Sequence, residues 1–357
     1  MMNKSRDWTS DAIQKIEADF QRSADTHLVK LDLPVMKGID IYLKDESTHP
    51  TGSLKHRLAR SLFLYGLCNG WIKENTTIIE SSSGNTAVSE AYFARLLGLP
   101  FVAVVPHHTA KKKIEQIQLY GGEVYFVERA DQIHEESRRL AKELKGHYMD
   151  QFTYAERATD WRGNNNIANS IYTQMERETY PIPTWIVMSA GTGGTSATIG
   201  RYLRYQQHVT KLCVVDPENS VFHSYFKTGD SSAVSTLGSK IEGIGRPQVE
   251  SSFIPSVIDI MQTIPDKASV ATAHWLETLL GRKVGASTGA NVYGVLQLAN
   301  KMKMNHQKGS IVTLLCDSGE RYFDTYYNAA WVAKNIGDTQ LIFNELKQFE
   351  VSGQWKL

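Results

Sequence analysis

The chain has little cysteine, no surplus of either charge and no long apolar run. Its three cysteines, Cys68, Cys213 and Cys316, are odd in number, far apart and without C-x-x-C spacing. That argues against a disulfide framework and fits reduced, buried thiols in a cytoplasmic protein. Lys plus Arg number 39 against 38 Asp plus Glu, so the basic surplus by which proteins usually neutralise nucleic-acid phosphates is missing. No apolar stretch reaches the roughly 18 residues that a membrane helix requires. Met1 to Phe20 is mixed polar and charged, with Ile13, Ile16 and Phe20 at helical spacing; it reads as a docking helix, not a signal peptide. The histidines include no H-E-x-x-H, and with scattered cysteines they form no recognisable zinc set, so no metal is expected.

At 357 residues, 41% hydrophobic and 22% charged, the chain is long enough for a sizeable core and for two lobes. Short β-branched runs alternate with longer amphipathic stretches: Thr77 to Glu80 then Thr86 to Leu97, Phe101 to Val105 then Ala110 to Tyr120, Glu123 to Val127 then Asp131 to Leu144. The rhythm resumes at Trp185 to Met188, Gly194 to Tyr205, Lys211 to Val215, Val257 to Gln262, Lys267 to Leu280, Ala290 to Met304 and Ile311 to Leu315. Such alternation predicts βαβ units, hence an α/β fold with mostly parallel strands and helices on both faces. Two irregular stretches interrupt it, Gln151 to Asn166 and Phe222 to Ser256. Long loops in compact folds are often functional or cross between domains, so a lobe boundary is placed near the first and the border of an active site at the second.

Four segments carry recognisable chemistry. Pro50-Thr51-Gly52-Ser53-Leu54-Lys55 puts a lysine in the first turn of a helix that repeats Leu54, Leu58, Leu62 and Tyr65, with Ser53 as the expected N-cap. The positive end of the helix dipole, together with burial, disfavours an ammonium there and yields a free amine; a solvated lysine that happens to start a helix is the plain alternative. Gly191-Thr192-Gly193-Gly194-Thr195 joins a strand to a helix and can direct backbone N–H groups and hydroxyls at a phosphate. A dinucleotide site is its rival, but Ser196 stands where the third glycine of G-x-G-x-x-G belongs. Ser82-Ser83-Gly84-Asn85-Thr86 is a second strand-to-helix turn, suited to a carboxylate, with the Asn85 amide able to reach a phenolic oxygen. Asp317-Ser318-Gly319 ends a strand at the edge where open α/β sheets bind ligands. An amine, a phosphate cup, a carboxylate turn and a ring partner are together what pyridoxal 5'-phosphate (PLP) requires.

In this order and spacing, from about Thr26 to Tyr322, the motifs resemble the tryptophan-synthase-β-like (fold type II) PLP enzymes, in particular cysteine synthase, cystathionine β-synthase and their cysteine desulfhydrase relatives. The resemblance implies a smaller lobe over 45–154 and a larger one over 1–44 and 155–357, each a twisted, mostly parallel open sheet. It makes Lys55 the Schiff-base lysine and Asn85 the partner of the cofactor's 3-hydroxyl. It also makes Gly191, Thr192, Gly193, Gly194 and Thr195 the phosphate loop, and Ser318 the residue facing the pyridine nitrogen. Ser82, Ser83, Thr86 and Gln151 then match the substrate-carboxylate positions, and Gly243 lies in a glycine turn near the substrate amine. A homodimer is implied as well.

Between Gly245 and Phe253-Ile254-Pro255 the chain is longer than in cysteine synthase, reading Arg246-Pro247-Gln248-Val249-Glu250-Ser251-Ser252. That lengthening resembles the desulfhydrase branch. A hydroxyl at Ser318 cannot hold the ring nitrogen protonated as a carboxylate would, which suits loss of a Cβ substituent better than transamination. The expected reaction is β-elimination through an enzyme-bound aminoacrylate, released as pyruvate and ammonia, with hydrogen sulfide as the leaving group when cysteine is the substrate. Cysteine synthase, in which O-acetylserine and sulfide give cysteine, is the alternative. A catalytically silent binding protein is a more remote one.

Overall fold

The computed structural model describes residues 2–107, 109–163 and 166–355. Among them, in chain order, run strands β1 (His27–Leu31), β2 (Ile39–Asp45), β3 (Ile78–Glu80), β4 (Phe101–Pro106), β5 (Glu123–Val127), β6 (His147–Tyr148), β7 (Trp185–Ser189), β8 (Lys211–Pro217), β9 (Ile260–Ile264) and β10 (Gly309–Leu315). They make a six-stranded sheet, β1-β2-β10-β7-β8-β9, and a four-stranded one, β5-β4-β3-β6. All pairings are parallel except that of β1 with β2. The fold is therefore α/β with two mostly parallel sheets flanked by helices, as the alternation predicts. Each sheet belongs to its own unit: Met1–Asp25 with His49–Thr159, and Thr26–Thr48 with Asp160–Leu357.

In the smaller unit, β3 and most of β4 are buried, the pattern of parallel strands covered on both faces. Phe63, Ile78, Ala91, Phe93, Phe101 and Ala103 share one core. Truncating an aromatic such as Phe93 to alanine there costs about 3–5 kcal/mol. The amino-terminal helix Met2–Arg22 contributes Ala12 and Ile16 to the same core. It is fastened by an Arg60–Glu17 ion pair of 2.8 Å and by the Tyr92 hydroxyl donating to Asp19 Oδ2 at 2.9 Å. Residues up to Asp25 thus belong to the smaller unit and not, as expected above, to the larger, because their apolar stripe is buried there. Residues 45–48 go the other way: they continue β2, and Asp45 is ion-paired with Arg282.

The larger unit buries Ile41, Leu43, Val187, Val215, Trp275, Leu296, Ile311 and Leu315 in one core. Helices Asp266–Leu280 and Ala286–Met304 cover the sheet, and the buried Trp275 satisfies its indole N–H on Glu350 Oε2 at 3.0 Å.

Several local expectations are corrected. The stretch expected to be irregular after Gln151 is a helix, Gln151–Ala158, started by Asp150 in a left-handed conformation with its side chain accepting from Thr153 N. Phe222–Thr228 is also helical. Cys68 is exposed at a helix end, whereas Cys213 and Cys316 are buried; burial pushes both of those thiols up to about 12.

Candidate active site

Parallel strands send their following loops to one edge of a sheet, where open α/β folds bind ligands. In the smaller unit, β3 pairs with β6 in the register Ile78↔His147. The turn Ser82 to Thr86 and the start of helix Gln151–Ala158 therefore leave the same edge. The structure joins them: Thr86 Oγ1 donates to Gln151 Oε1 at 2.8 Å, both side chains being buried. Ser82 Oγ accepts from Gly84 N at 3.2 Å, and Asn85 is the first residue of helix Asn85–Leu97. Such a turn offers hydroxyls, amides and the N–H groups of a helix start, a donor set that suits a carboxylate.

Lys55 is the first residue of helix Lys55–Cys68, half-buried. The N-cap is Leu54, with no side-chain cap, so the expected capping by Ser53 is corrected: the Ser53 hydroxyl instead accepts from Lys55 N at 3.3 Å. His56 is buried, with Nδ1 facing Thr51 Oγ1 at 3.2 Å and its ring stacked on His49, a packing role.

In the larger unit, β7 pairs with β10 in the register Ile311↔Trp185, so the turn at 191–195 and Ser318 leave one sheet edge. Gly193 has φ +92°, and a Cβ there would lie 2.4 Å from Phe253 Cα. At Gly191 a Cβ would fall 2.1 Å from Gly243 O. Only glycine fits these approaches without a backbone shift. They bring Gly191 and Gly243 together, and Gly245 N donates to Ala190 O at 2.8 Å. Helix Gly194–Tyr205 then begins, and its first-turn N–H groups lack intrahelical acceptors. Thr192 Oγ1 accepts from Gly194 N at 3.3 Å. This is a cradle of backbone donors at a helix start, and its chemistry fits the phosphate of PLP.

Ser318 Oγ accepts from Glu320 N at 3.4 Å. Beside it the Asp317 carboxylate accepts from the Tyr322 hydroxyl at 2.6 Å. Lys55, Ser82, Ser83, Asn85, Thr86 and Gln151 thus lie in the smaller unit, and Gly191 to Thr195, Gly243 and Ser318 in the larger.

Sequence reasoning passed over three residues. Tyr326 locks the glycine turn, its hydroxyl accepting from Glu242 N at 2.7 Å and donating to Lys240 O at 3.0 Å. Glu80 and Glu90 are fully buried acids of the smaller unit. Their signal was a charge inside apolar surroundings: Glu80 ends Ile78-Ile79-Glu80, and Glu90 sits in Ala87-Val88-Ser89-Glu90-Ala91.

Comparison with known proteins agrees with this chemistry. L-cysteine desulfhydrase Cds1 of Mycobacterium tuberculosis is 58% identical over 355 residues, covering 98% of this chain and 96% of that protein. Cysteine synthase 1 of Neurospora crassa is 30% identical, covering 87% of this chain and 83% of its own length. The crystal structure of O-ureido-L-serine synthase superimposes with a TM-score of 0.73 at 26% identity, over 86% of this chain and 96% of that one. With a family match that spans residues 21–317, the chain belongs to the pyridoxal-phosphate dependent enzymes.

Proposed function

We propose that this enzyme is an L-cysteine desulfhydrase, converting cysteine and water to pyruvate, ammonia and hydrogen sulfide. The observation that carries the reading is the 58% identity, over nearly the whole of both chains, to a relative of that name. The lengthened segment after Gly245 supports it. There Arg246 Nε donates to the buried Glu250 carboxylate at 2.6 Å, and Phe253 stacks on Phe222 with centroids 4.1 Å apart. Ser252 O and the Phe253 backbone lie directly against the position of Gly193, so the segment buttresses the glycine turn.

PLP, when bound, supplies an aldehyde that condenses with amines and a ring that draws electrons from the attached amino acid. The residues of this chain do the rest. Lys55 Nζ would hold the cofactor at rest and, once free, would take the proton from the substrate Cα. The Ser82 to Thr86 turn and Gln151 grip the substrate carboxylate, and Gly243 borders its amine. Asn85 orients the ring through its phenolic oxygen, and Gly191 to Thr195 hold the phosphate. Ser318 offers the ring nitrogen a neutral hydroxyl. This reading includes a cytoplasmic homodimer; among the described residues no helix is long and apolar enough to cross a membrane.

Cysteine synthase is the second reading, favoured by the similarity to cysteine synthase 1. Incubation with cysteine alone separates the two. Sulfide and pyruvate in equal amounts are expected; cysteine formed far faster from O-acetylserine and sulfide would overturn the choice.

A further inference from the structure

Glu80 takes no part in the reaction as described, yet it joins the two segments proposed to hold the substrate carboxylate. It closes β3 and is 0% exposed. A carboxylate buried so completely is strongly disfavoured unless donors surround it. Glu80 has three: Oε1 accepts from Ser81 N at 2.7 Å and from Ser81 Oγ at 3.0 Å, and Oε2 accepts from Gln151 N at 3.2 Å. Ser81 leads directly into the turn Ser82 to Thr86, and Gln151 opens helix Gln151–Ala158. One side chain therefore ties together the loops that follow β3 and β6.

The loop after β6 needs such a tie. Asp150 has φ +46°, a left-handed conformation that a residue with a Cβ keeps only where its surroundings hold it. Gln151 N belongs to the first turn of its helix and so has no acceptor within that helix. The Glu80 carboxylate supplies one, and a negative charge at a helix start is favourable. Beyond the kink, the Gln151 side chain meets Thr86, whose hydroxyl donates to Oε1 at 2.8 Å. An amide whose oxygen is so engaged presents its N–H groups as the donors for a bound carboxylate. Tyr148 on β6 makes a second tie, its hydroxyl 2.7 Å from Ser81 Oγ, with His134 Nδ1 2.9 Å from that hydroxyl and 3.2 Å from Ser81 Oγ. Burial, with a smaller push from the Asp150 charge, raises the Glu80 carboxyl to about 7 against the hydrogen bonds from Gln151 N and Ser81. Above about pH 8 it is therefore the anion.

We propose that Glu80 is a positioning residue for the substrate: its carboxylate, with the Ser81 hydroxyl, fixes the start of helix Gln151–Ala158 against the turn Ser82 to Thr86 and so sets the Gln151 amide for the α-carboxylate of the amino acid. The inference rests on the proposed reading of that turn and Gln151 as the carboxylate grip. Glu80 touches neither cofactor nor substrate; it acts through Gln151. An amine without a carboxylate makes no use of that amide, so its binding does not depend on Glu80.

L-Alanine and ethylamine differ only in the carboxylate, and neither has a leaving group. Their binding to holoprotein, followed by visible absorbance above about pH 8, tests the proposal apart from the choice of cysteine as substrate. Glu80→Gln replaces one accepting oxygen by an amide nitrogen that cannot accept, and is expected to weaken alanine by about tenfold while ethylamine is unchanged. In a Gln151→Ala background the same substitution is expected to weaken alanine no further. Equal weakening of both ligands, an unmoved alanine affinity, or a full additional loss in Gln151→Ala overturns the proposal. Should Glu80→Gln not fold, Ser81→Ala decides. It removes one of the three donors and the contact with Tyr148, and a loss of about threefold for alanine alone is expected; an equal loss for both ligands, or none, overturns the proposal. Failure of the carboxylate grip itself would show separately, as wild type that binds alanine no more tightly than ethylamine, and would overturn both readings.

Discussion

Gly191 and Gly243 meet backbone to backbone: a Cβ on the first would lie 2.1 Å from the carbonyl oxygen of the second. The contact ties the helix-start turn to the glycine turn that Tyr326 clamps. Gly191→Ala must push the two apart, at a cost of about 1–3 kcal/mol. Titration of the apoprotein with PLP, followed by visible absorbance, is expected to show affinity lower by about tenfold or more. Unchanged affinity would remove the turn from cofactor binding.

Thr86→Val keeps the volume and deletes the donor to Gln151 Oε1. A buried carbonyl left without its partner costs about 1–3 kcal/mol. If Gln151 helps hold the substrate carboxylate, KM for cysteine should rise by about tenfold while kcat falls less. Steady-state kinetics check this; a fall in kcat alone would speak against the carboxylate role.

Glu250→Ala removes the carboxylate to which Arg246 Nε donates and loosens the segment whose end packs on Gly193. The expected outcome is faster loss of PLP on dialysis, with the visible spectrum of the remaining holoprotein unchanged. Retention equal to wild type would show that the longer segment does not support the turn.

Asp216 is buried, and that burial raises it from 3.8 to about 6 against the hydrogen bonds from Ser220 and from His223 N. The folded chain therefore holds a proton that the unfolded chain gives up above about pH 4. Its contribution to stability is complete below that pH and is lost as pH rises through about 6. The change amounts to about 3 kcal/mol at most. Asp216→Asn should lack this slope, gaining on wild type between pH 4 and pH 6.5 in urea unfolding. A constant difference across that range would contradict the assignment.

The βαβ rhythm was legible because strands such as Ile78–Glu80 and Phe101–Pro106 are short buried β-branched runs, and helices such as Gly194–Tyr205 start on glycine turns. Helix Gln151–Ala158 was not, since its polar and aromatic residues give no clear apolar stripe and its start depends on the left-handed Asp150. Nor was the unit to which Met2–Arg22 belongs, because the burial of Ile16 depends on residues distant in sequence. The strand-to-helix turns at Ser82 to Thr86 and Gly191 to Thr195 were legible one at a time, from their own glycines and hydroxyls.

Every role proposed for the other residues presupposes Lys55 as the amine that carries PLP. Borohydride reduction of the holoprotein, followed by peptide mass spectrometry, tests it directly. A pyridoxyl group on the peptide containing Lys55 is the predicted result. An adduct on another lysine, or none in protein that retains its yellow colour before reduction, would contradict it.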